Sequence, residues 1–513
     1  MFFRINSMGV SGIDAFPVTV EVDASRGMPG IEIVGLPDAA VRESRDRVRS
    51  ALRNSGINLP PARILVNLAP AHIRKTGPLY DLPILVGILA AYGKFAFPLH
   101  KLVFVGELSL SGECMPVSGV LSMTLRAKKM GYTAIFVPEA NIREAAVVDG
   151  IRVVPVSNVA SLLRQLKTEE PFPDIYTTPF DSIPHEYPVD FSEVKGHVFA
   201  KYALEIAAAG GHNVLMIGPP GSGKSMLAKR IPTILPDMTF QEAIETTQIY
   251  SVSGDLPSEL SLMRTRPFRS PHHTISAAGL SGGGSIPQPG ELSLAHNGVL
   301  FLDEFPEFSR QSMEVLRQPL EDGVITISRA SGRYTYPCNV MMVAAMNPCP
   351  CGYRGHPTRK CVCGEGAAVR YLSKISGPML DRMDLHVEVP VIDFNELTSQ
   401  RKVDTSAEIR ERVTAARERQ LARLRSMGIK KPIYNARLTP ALMKEVCRLD
   451  KAAADFLKLA YERLGLSARG YDRMIKVSRT IADLEGHKDI ARSHIAKAIQ
   501  FRDLDRKFWQ LPG

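Results

Sequence analysis

The segment Gly218-Pro219-Pro220-Gly221-Ser222-Gly223-Lys224-Ser225 constrains this chain more than any other feature. An apolar run, Asn213–Ile217, leads into it, and a helix-forming run, Met226-Leu-Ala-Lys-Arg, leaves it. A glycine-rich turn between a strand and a helix lets successive backbone N–H groups point at a phosphate, with the helix N-terminus behind them. Lys224 then supplies a point charge to the β- and γ-phosphates, and Ser225 offers a hydroxyl to Mg²⁺. Residues 218–225 are therefore expected to bind ATP and Mg²⁺ at the end of a parallel α/β sheet.

Hydrolysis also needs an acidic partner on a neighbouring strand. Gly298-Val-Leu-Phe-Leu-Asp303-Glu304 supplies it about eighty residues on. Asp303 is expected to hold the Mg²⁺ shell, and Glu304 to orient and deprotonate the attacking water. A third apolar strand, Asn339–Met346, ends at Asn347, which could reach that water or the γ-phosphate, or could simply open a turn with Pro348.

The rest of the chain frames this core. At 513 residues it is long enough for about three domains, and 45% hydrophobic with 23% charged residues excludes a disordered chain. Residues 1–166 mix strand-like runs (Val18–Val22, Ile31–Val34, Ile64–Leu68, Leu102–Val105) with a basic helix at Ala39–Asn54. A proline-rich linker is expected at 167–190, an α/β core at 191–394, and a helical unit at 395–513, with long helices at Ser406–Met427 and Ala441–Arg463. No apolar run reaches the ~18 residues of a membrane span, and the start carries no secretory pattern, so a cytoplasmic protein is expected. The net charge of +10 is unevenly placed: residues 401–513 hold 26 Lys and Arg against 14 Asp and Glu, leaving the first 400 at −2. Such an excess is compatible with a polyanionic partner but does not say which one.

Four of the seven cysteines cluster as Cys349-Pro-Cys351-Gly and Cys361-Val-Cys363-Gly. Two close pairs across a short loop suit a four-thiolate zinc site; free or redox-active thiols and disulfides are the alternatives. His356 could replace one ligand, and Arg354, Arg359 and Lys360 would offset thiolate charge. Gly323–Asn339 reads as a β-hairpin with Arg329 and Arg333 at its tip. The adjacent His272 and His273 carry no assigned role beyond polar loop packing.

From about Ser192 to Ala491 the chain resembles the Mg-chelatase-like branch of the AAA+ ATPases, and within it the bacterial ComM-type competence family of ATP-driven branch-migration helicases. Ala207–Asn213, the phosphate loop, Arg266–Thr274, Gly298–Phe308, Met346–Gly352 and Ser376–Leu385 carry the likeness. The resemblance implies a P-loop AAA+ core, a helical C-terminal lid and a homo-oligomeric, hexameric ring acting on single-stranded and branched DNA, with recombination proteins as neighbours. It implies that Arg382 is an arginine finger reaching the adjacent subunit's γ-phosphate, and that Arg469, with Arg473 as runner-up, is a second sensor facing nucleotide. It makes Arg329 and Arg333 the phosphate contacts of a pore hairpin, with Tyr334 or Tyr336 stacking on bases, and Gly279–Gly290 a second pore loop. Residues 1–166 resemble the α+β Lon-protease-like domain of ribosomal-protein-S5-like fold. Where active proteases of that fold place Ser and Lys, this chain has Leu79 and Leu121, so proteolysis is not expected.

Three other readings share parts of this pattern. A chelatase motor for porphyrin metallation would use the same core; against it stand the Lon-like domain, the cysteine cluster and an incomplete Asp23-Ala-Ser25 metal motif. A protein-remodelling ring would carry an aromatic pore grip instead of paired arginines. A nucleotide-gated scaffold would not need the full set of Lys224, Asp303, Glu304 and Arg382.

Overall fold

In a computed structural model the described residues are all but 94, 96–98, 168–178, 181–186, 285–286, 330–331, 399–402, 465–466, 503, 505–507 and 510–513. Most of the expected 167–190 linker lies outside them. The N-terminal strands are β1 (Phe2–Ser11), β2 (Asp14–Ser25), β3 (Gly30–Val34), β4 (Arg63–Ala69), β5 (Leu102–Phe104), β6 (Glu107–Leu108), β7 (Cys114–Met115), β8 (Ala134–Pro138) and β9 (Arg152–Val156). Seven form a mixed sheet in the order β3-β4-β2-β1-β5-β8-β9, while β6 and β7 pair apart from it.

β1 and β2 form a long hairpin, paired from Phe2 with Asp23 to Ser11 with Asp14. Its two-residue turn, Gly12-Ile13, needs a positive φ at its first position, and Gly12 supplies one of 64°. The basic helix Ala39–Asn54 forms as read, capped by Asp38, with Val41, Ser44, Val48, Ala51 and Leu52 buried at helical spacing. The most apolar run of the chain becomes the helix Asp81–Ala91, buried along its whole length. It packs on β1 and β2. Among the described residues, no helix is long and apolar enough to cross a membrane.

The second half holds β10 (Val214–Ile217), β11 (Phe268–Arg269), β12 (Val299–Leu302), β13 (Val324–Arg329), β14 (Gly332–Pro337), β15 (Met341–Met346) and β16 (Leu385–Glu388). Five make a sheet in the order β11-β12-β15-β10-β16, every neighbouring pair parallel. β10, β12 and β15 are unbroken apolar runs, each residue buried, as strands covered on both faces must be. β13 and β14 form the separate hairpin, with Ser328 opposite Arg333 and Arg329 opposite Gly332.

Beyond β16 the described elements are helices, the longest being Ser406–Ser426 and Ala468–Leu484. The segment read as one helix over Ala441–Arg463 is instead two, Pro440–Val446 and Lys451–Leu464. The break has a local cause: Asp450 accepts a 2.6 Å hydrogen bond from the Ala453 N–H as a new helix cap, and Leu449 bridges to Ile490.

Candidate active site

Parallel strands present their C-terminal ends to one crevice, so the three chemically marked strands converge there. β10 opens into the phosphate loop, β12 ends at Asp303 and β15 ends at Asn347. A cavity of about 390 Å³ is lined by residues 220–226, Asp303, Glu304, Met346 and Asn347. Ser225 Oγ donates to Asp303 Oδ2 at 2.7 Å, so the hydroxyl and carboxylate expected to share Mg²⁺ already face each other. Lys224 Nζ donates to the carbonyls of Gly218 and Pro219 at 2.8 Å each, and lies 3.4 Å from Asn347 Oδ1. Burial pushes the Lys224 ammonium down to about 8, partly opposed by Asp303. Donors and carboxylate together fit a nucleotide phosphate and its cation.

Glu304 departs from ordinary backbone geometry with a φ of 50°, unusual for a residue with a side chain. Its carboxylate pairs with His273 Nδ1 at 3.2 Å. His273 follows β11, the edge strand beside β12, and its ring lies 4.1 Å from that of His272. Nothing local to the histidine pair marks this contact, because Glu304 is thirty-one residues away.

Arg382, Arg469 and Arg473 lie elsewhere. Asn213, just before β10, donates through Nδ2 to the Arg382 carbonyl at 3.0 Å and accepts the Asp384 N–H at 2.9 Å. The phosphate loop leaves the other end of that strand, about 10 Å away for four residues of extended chain. The Arg382 guanidinium pairs with Glu321 at 2.6 Å and donates to the carbonyls of Arg317 and Pro378. A single basic cavity gathers Arg382, Arg437, Arg469, Arg473 and Lys476. Behind it, His212 Nδ1 lies 3.0 Å from Asp384 Oδ2, and Arg473 lies 3.4 Å from Asp384 Oδ1. Burial alone would raise the Asp384 carboxyl; the hydrogen bond to His212 and the Arg473 charge hold it below the usual range. Arg469 therefore lines this basic cavity and not the phosphate-loop cavity of its own chain.

The four clustered cysteines meet. Sγ–Sγ distances are 3.5 Å for Cys349–Cys351 and Cys351–Cys361, and 3.6 Å for Cys349–Cys361. Cys363 Sγ accepts the Cys351 N–H at 3.4 Å, and all four sulfurs lie within 4.8 Å of one another. A tetrahedral Zn²⁺ with ~2.3 Å bonds sets its ligands about 3.8 Å apart, whereas a disulfide needs about 2.05 Å. The Tyr353 N–H, ahead of smaller contributions, brings the Cys351 thiol down to about 6. The four sulfurs group without His356, whose Nδ1 accepts the N–H groups of Thr358 and Arg359. The loop abuts the phosphate loop, since a Cβ on Gly352 would lie 2.5 Å from Pro220 Cδ.

On the β13–β14 hairpin, Arg329 and Arg333 are exposed. Gly279–Gly290 packs on its base: Tyr336 Oη donates to the Pro287 carbonyl at 2.7 Å, and Arg329 Nη2 lies 3.5 Å from the Cβ position of Gly283. Tyr336 is therefore core and not a stacking surface, leaving Tyr334 half-buried for that role. Leu79, in the short turn Pro78–Tyr80, and Leu121, in the helix Val120–Lys129, are both buried and offer neither nucleophile nor base.

Residues 190–397 match the family described as magnesium chelatase, subunit ChlI; residues 20–141 match subunit ChlI of Mg-chelatase, and 403–502 its C-terminal part. The chain is 42% identical over 505 residues to protein YifB of Escherichia coli (strain K12), covering 98% of this chain and 97% of that one. It is 42% identical over 515 residues to competence protein ComM of Haemophilus influenzae, covering 99% and 98%. With 42% identity over nearly its full length and a complete phosphate-loop crevice, the chain belongs to the ComM/Mg-chelatase-like family of AAA+ ATPases.

Proposed function

We propose that this protein is an ATP-driven, ring-forming DNA helicase or translocase that promotes branch migration in homologous recombination during natural transformation. The observation that carries the reading is the exposed pair Arg329 and Arg333 on a hairpin braced by a glycine-rich loop, on the same core as the ATP crevice. In the proposed cycle Lys224 and the loop N–H groups of residues 218–225 hold the phosphates, while Ser225 and Asp303 hold Mg²⁺. Bound Mg²⁺ would neutralise developing phosphate charge. Glu304 orients the attacking water and takes its proton, and Asn347 positions that water or the γ-phosphate.

Arg382 and Arg469 serve the nucleotide of the adjacent subunit, because they lie at the opposite end of β10 from their own phosphate loop. A hexameric ring satisfies that requirement. Arg329 and Arg333 grip DNA phosphates without reading sequence. Cys349, Cys351, Cys361 and Cys363 hold a structural Zn²⁺ that stiffens the segment against Pro220. Residues 1–166 act as an inactive Lon-protease-like domain, 167–190 as a linker and 395–513 as a lid.

The test is ATPase rate with and without single-stranded or branched DNA, together with unwinding of a branched substrate. Stimulation by DNA is expected, with unwinding lost in the Arg329→Ala, Arg333→Ala double variant while basal ATPase persists. Wild-type protein that neither binds nor responds to DNA at low salt would refute the reading.

A further inference from the structure

The N-terminal sheet touches the hairpin that carries the proposed DNA grip. Gly12, at the β1–β2 turn, is buried against β14: a Cβ there would lie 3.0 Å from the Thr335 carbonyl oxygen and 3.4 Å from its nitrogen. Two constraints thus meet at one residue, a positive φ of 64° and the close passage of another backbone. The next residue, Ile13, packs on the cluster containing Ile325, Ile327 and Tyr336, and on the smaller cluster of Ile249, Tyr250 and Leu294. It therefore wedges between the hairpin base and the helix Phe240–Ser253.

The wedge is itself held. Ser122 Oγ donates to the Ile13 carbonyl at 2.7 Å and accepts from Gln248 Nε2 at 3.1 Å. The Gly119 N–H donates to the Ser251 carbonyl at 3.0 Å, and Ser251 Oγ donates to the buried Glu144 carboxylate at 2.5 Å. Thr335 is two residues from Arg333, so the two share one face of the strand about 7 Å apart. A displacement of the turn is passed to the arginine through a short, paired piece of backbone.

We propose that the Ser11–Asp14 turn braces the β13–β14 hairpin, making the N-terminal sheet a positioning part of the DNA grip. The inference rests on the helicase reading for its DNA consequence and on geometry alone for its mechanical one. Gly12 and Ile13 are positioning residues that act through Thr335 and the hairpin core.

The experiment uses full-length Gly12→Val, Ile13→Asp and, as the conservative control, Ile13→Val. Hydrogen exchange across residues 324–337 is measured beside ATPase rate as a function of single-stranded DNA concentration. Faster exchange in the hairpin, with β12 unchanged, is expected for the first two variants. Half-maximal stimulation should then need about ten-fold more DNA, with basal ATPase and maximal stimulated rate near wild type and Ile13→Val restoring both readouts. Hairpin exchange and DNA dependence matching wild type in both disruptive variants would overturn the brace. Faster hairpin exchange in a protein whose wild type ignores DNA would support the brace while overturning the helicase reading.

Discussion

His273 Nδ1 lies 3.2 Å from Glu304 Oε2, and this pair ties the edge of the sheet to a carboxylate that lines the phosphate-loop cavity. The same carboxylate sits on a residue of positive φ. Its direction is therefore set by a strained backbone and by one histidine that restrains it. From His273 the chain runs six residues to Gly279, and onward to the glycine loop that touches Arg329.

Freeing Glu304 should raise basal hydrolysis. His273→Ala is expected to increase the DNA-independent ATPase rate by about two- to ten-fold, less than the ~10²–10⁴-fold a positioned acid–base group itself contributes, because the base is only released and not replaced. Glu304→Gln should lower it by about 10²-fold or more. Steady-state ATPase on the purified variants checks both. A His273→Ala rate as low as that of Glu304→Gln would show that the histidine supports catalysis instead of restraining it.

The position of Arg382 predicts behaviour of mixtures. Its carbonyl is held at the Asn213 end of β10 and its guanidinium by Glu321, away from the residues that line the crevice of its own chain. Arg382→Ala should cost about 10³-fold or more in ATPase, as removal of an arginine finger does. Mixed with Glu304→Gln it should recover activity, because one subunit supplies the arginine and its neighbour the carboxylate. A mixture giving only the sum of the two residual rates would place the arginine in cis or outside catalysis.

Zinc removal should be felt at the nucleotide. The sulfur cluster has spacings close to those of a tetrahedral thiolate site, and Gly352 packs on Pro220 of the phosphate loop. Protein purified in reductant should carry about one zinc per chain by elemental analysis, lost in Cys361→Ser. ATP affinity should fall when the metal is removed, measured by titration calorimetry. Metal-free protein with unchanged ATP affinity would confine the cluster to local stiffness.

What could be read from sequence was what is local. The phosphate loop, Asp303 and Asn347 sit at the ends of apolar strands, so their meeting follows from parallel-sheet geometry once three such strands are recognised. The cysteine quartet was likewise legible within fifteen residues. The break between Val446 and Lys451 was missed because helical hydrophobic spacing continues across it, while the Asp450 cap and the Leu449–Ile490 bridge override it. Three relationships left no local signal: His273 with Glu304, Gly12 with Thr335 and Glu144 with Ser251. Each joins residues far apart in sequence, and their residue types are ordinary for turns and helix surfaces. The +12 of residues 401–513 also misleads, since Arg412, Arg417 and Arg423 spend their charge on Glu205, the Ala208 carbonyl and Asp483.

Glu144 supplies the last prediction, because from the helix Ile142–Ala145 it fastens the N-terminal unit to Ser251 of the second half. Its carboxylate accepts from Ser251 Oγ, from Asn141 Nδ2 at 2.7 Å and from the Leu121 N–H at 3.2 Å. Burial nonetheless outweighs these hydrogen bonds and holds the group above the usual carboxylate range. The folded chain therefore binds this proton more tightly than the unfolded chain does. The resulting stability is fully present below the unfolded value of about 4.3 and is lost as pH rises through the raised folded value. Each tenfold change in proton affinity corresponds to about 1.4 kcal/mol. Carboxylates held low elsewhere, such as Glu242 and Asp384, bend the profile the opposite way. The measurement is thus the difference in unfolding free energy between wild type and Glu144→Gln across pH 4 to 8. Wild type should lose stability relative to the variant as pH rises over the lower part of that window, then run parallel to it. Ser251→Ala, which leaves the carboxylate one donor short, should cost about 1–3 kcal/mol at neutral pH and less in acid, where the protonated group has fewer acceptor sites to satisfy. A wild-type-minus-variant curve flat from pH 4 to 8 would show that this carboxylate titrates alike in the folded and unfolded chain.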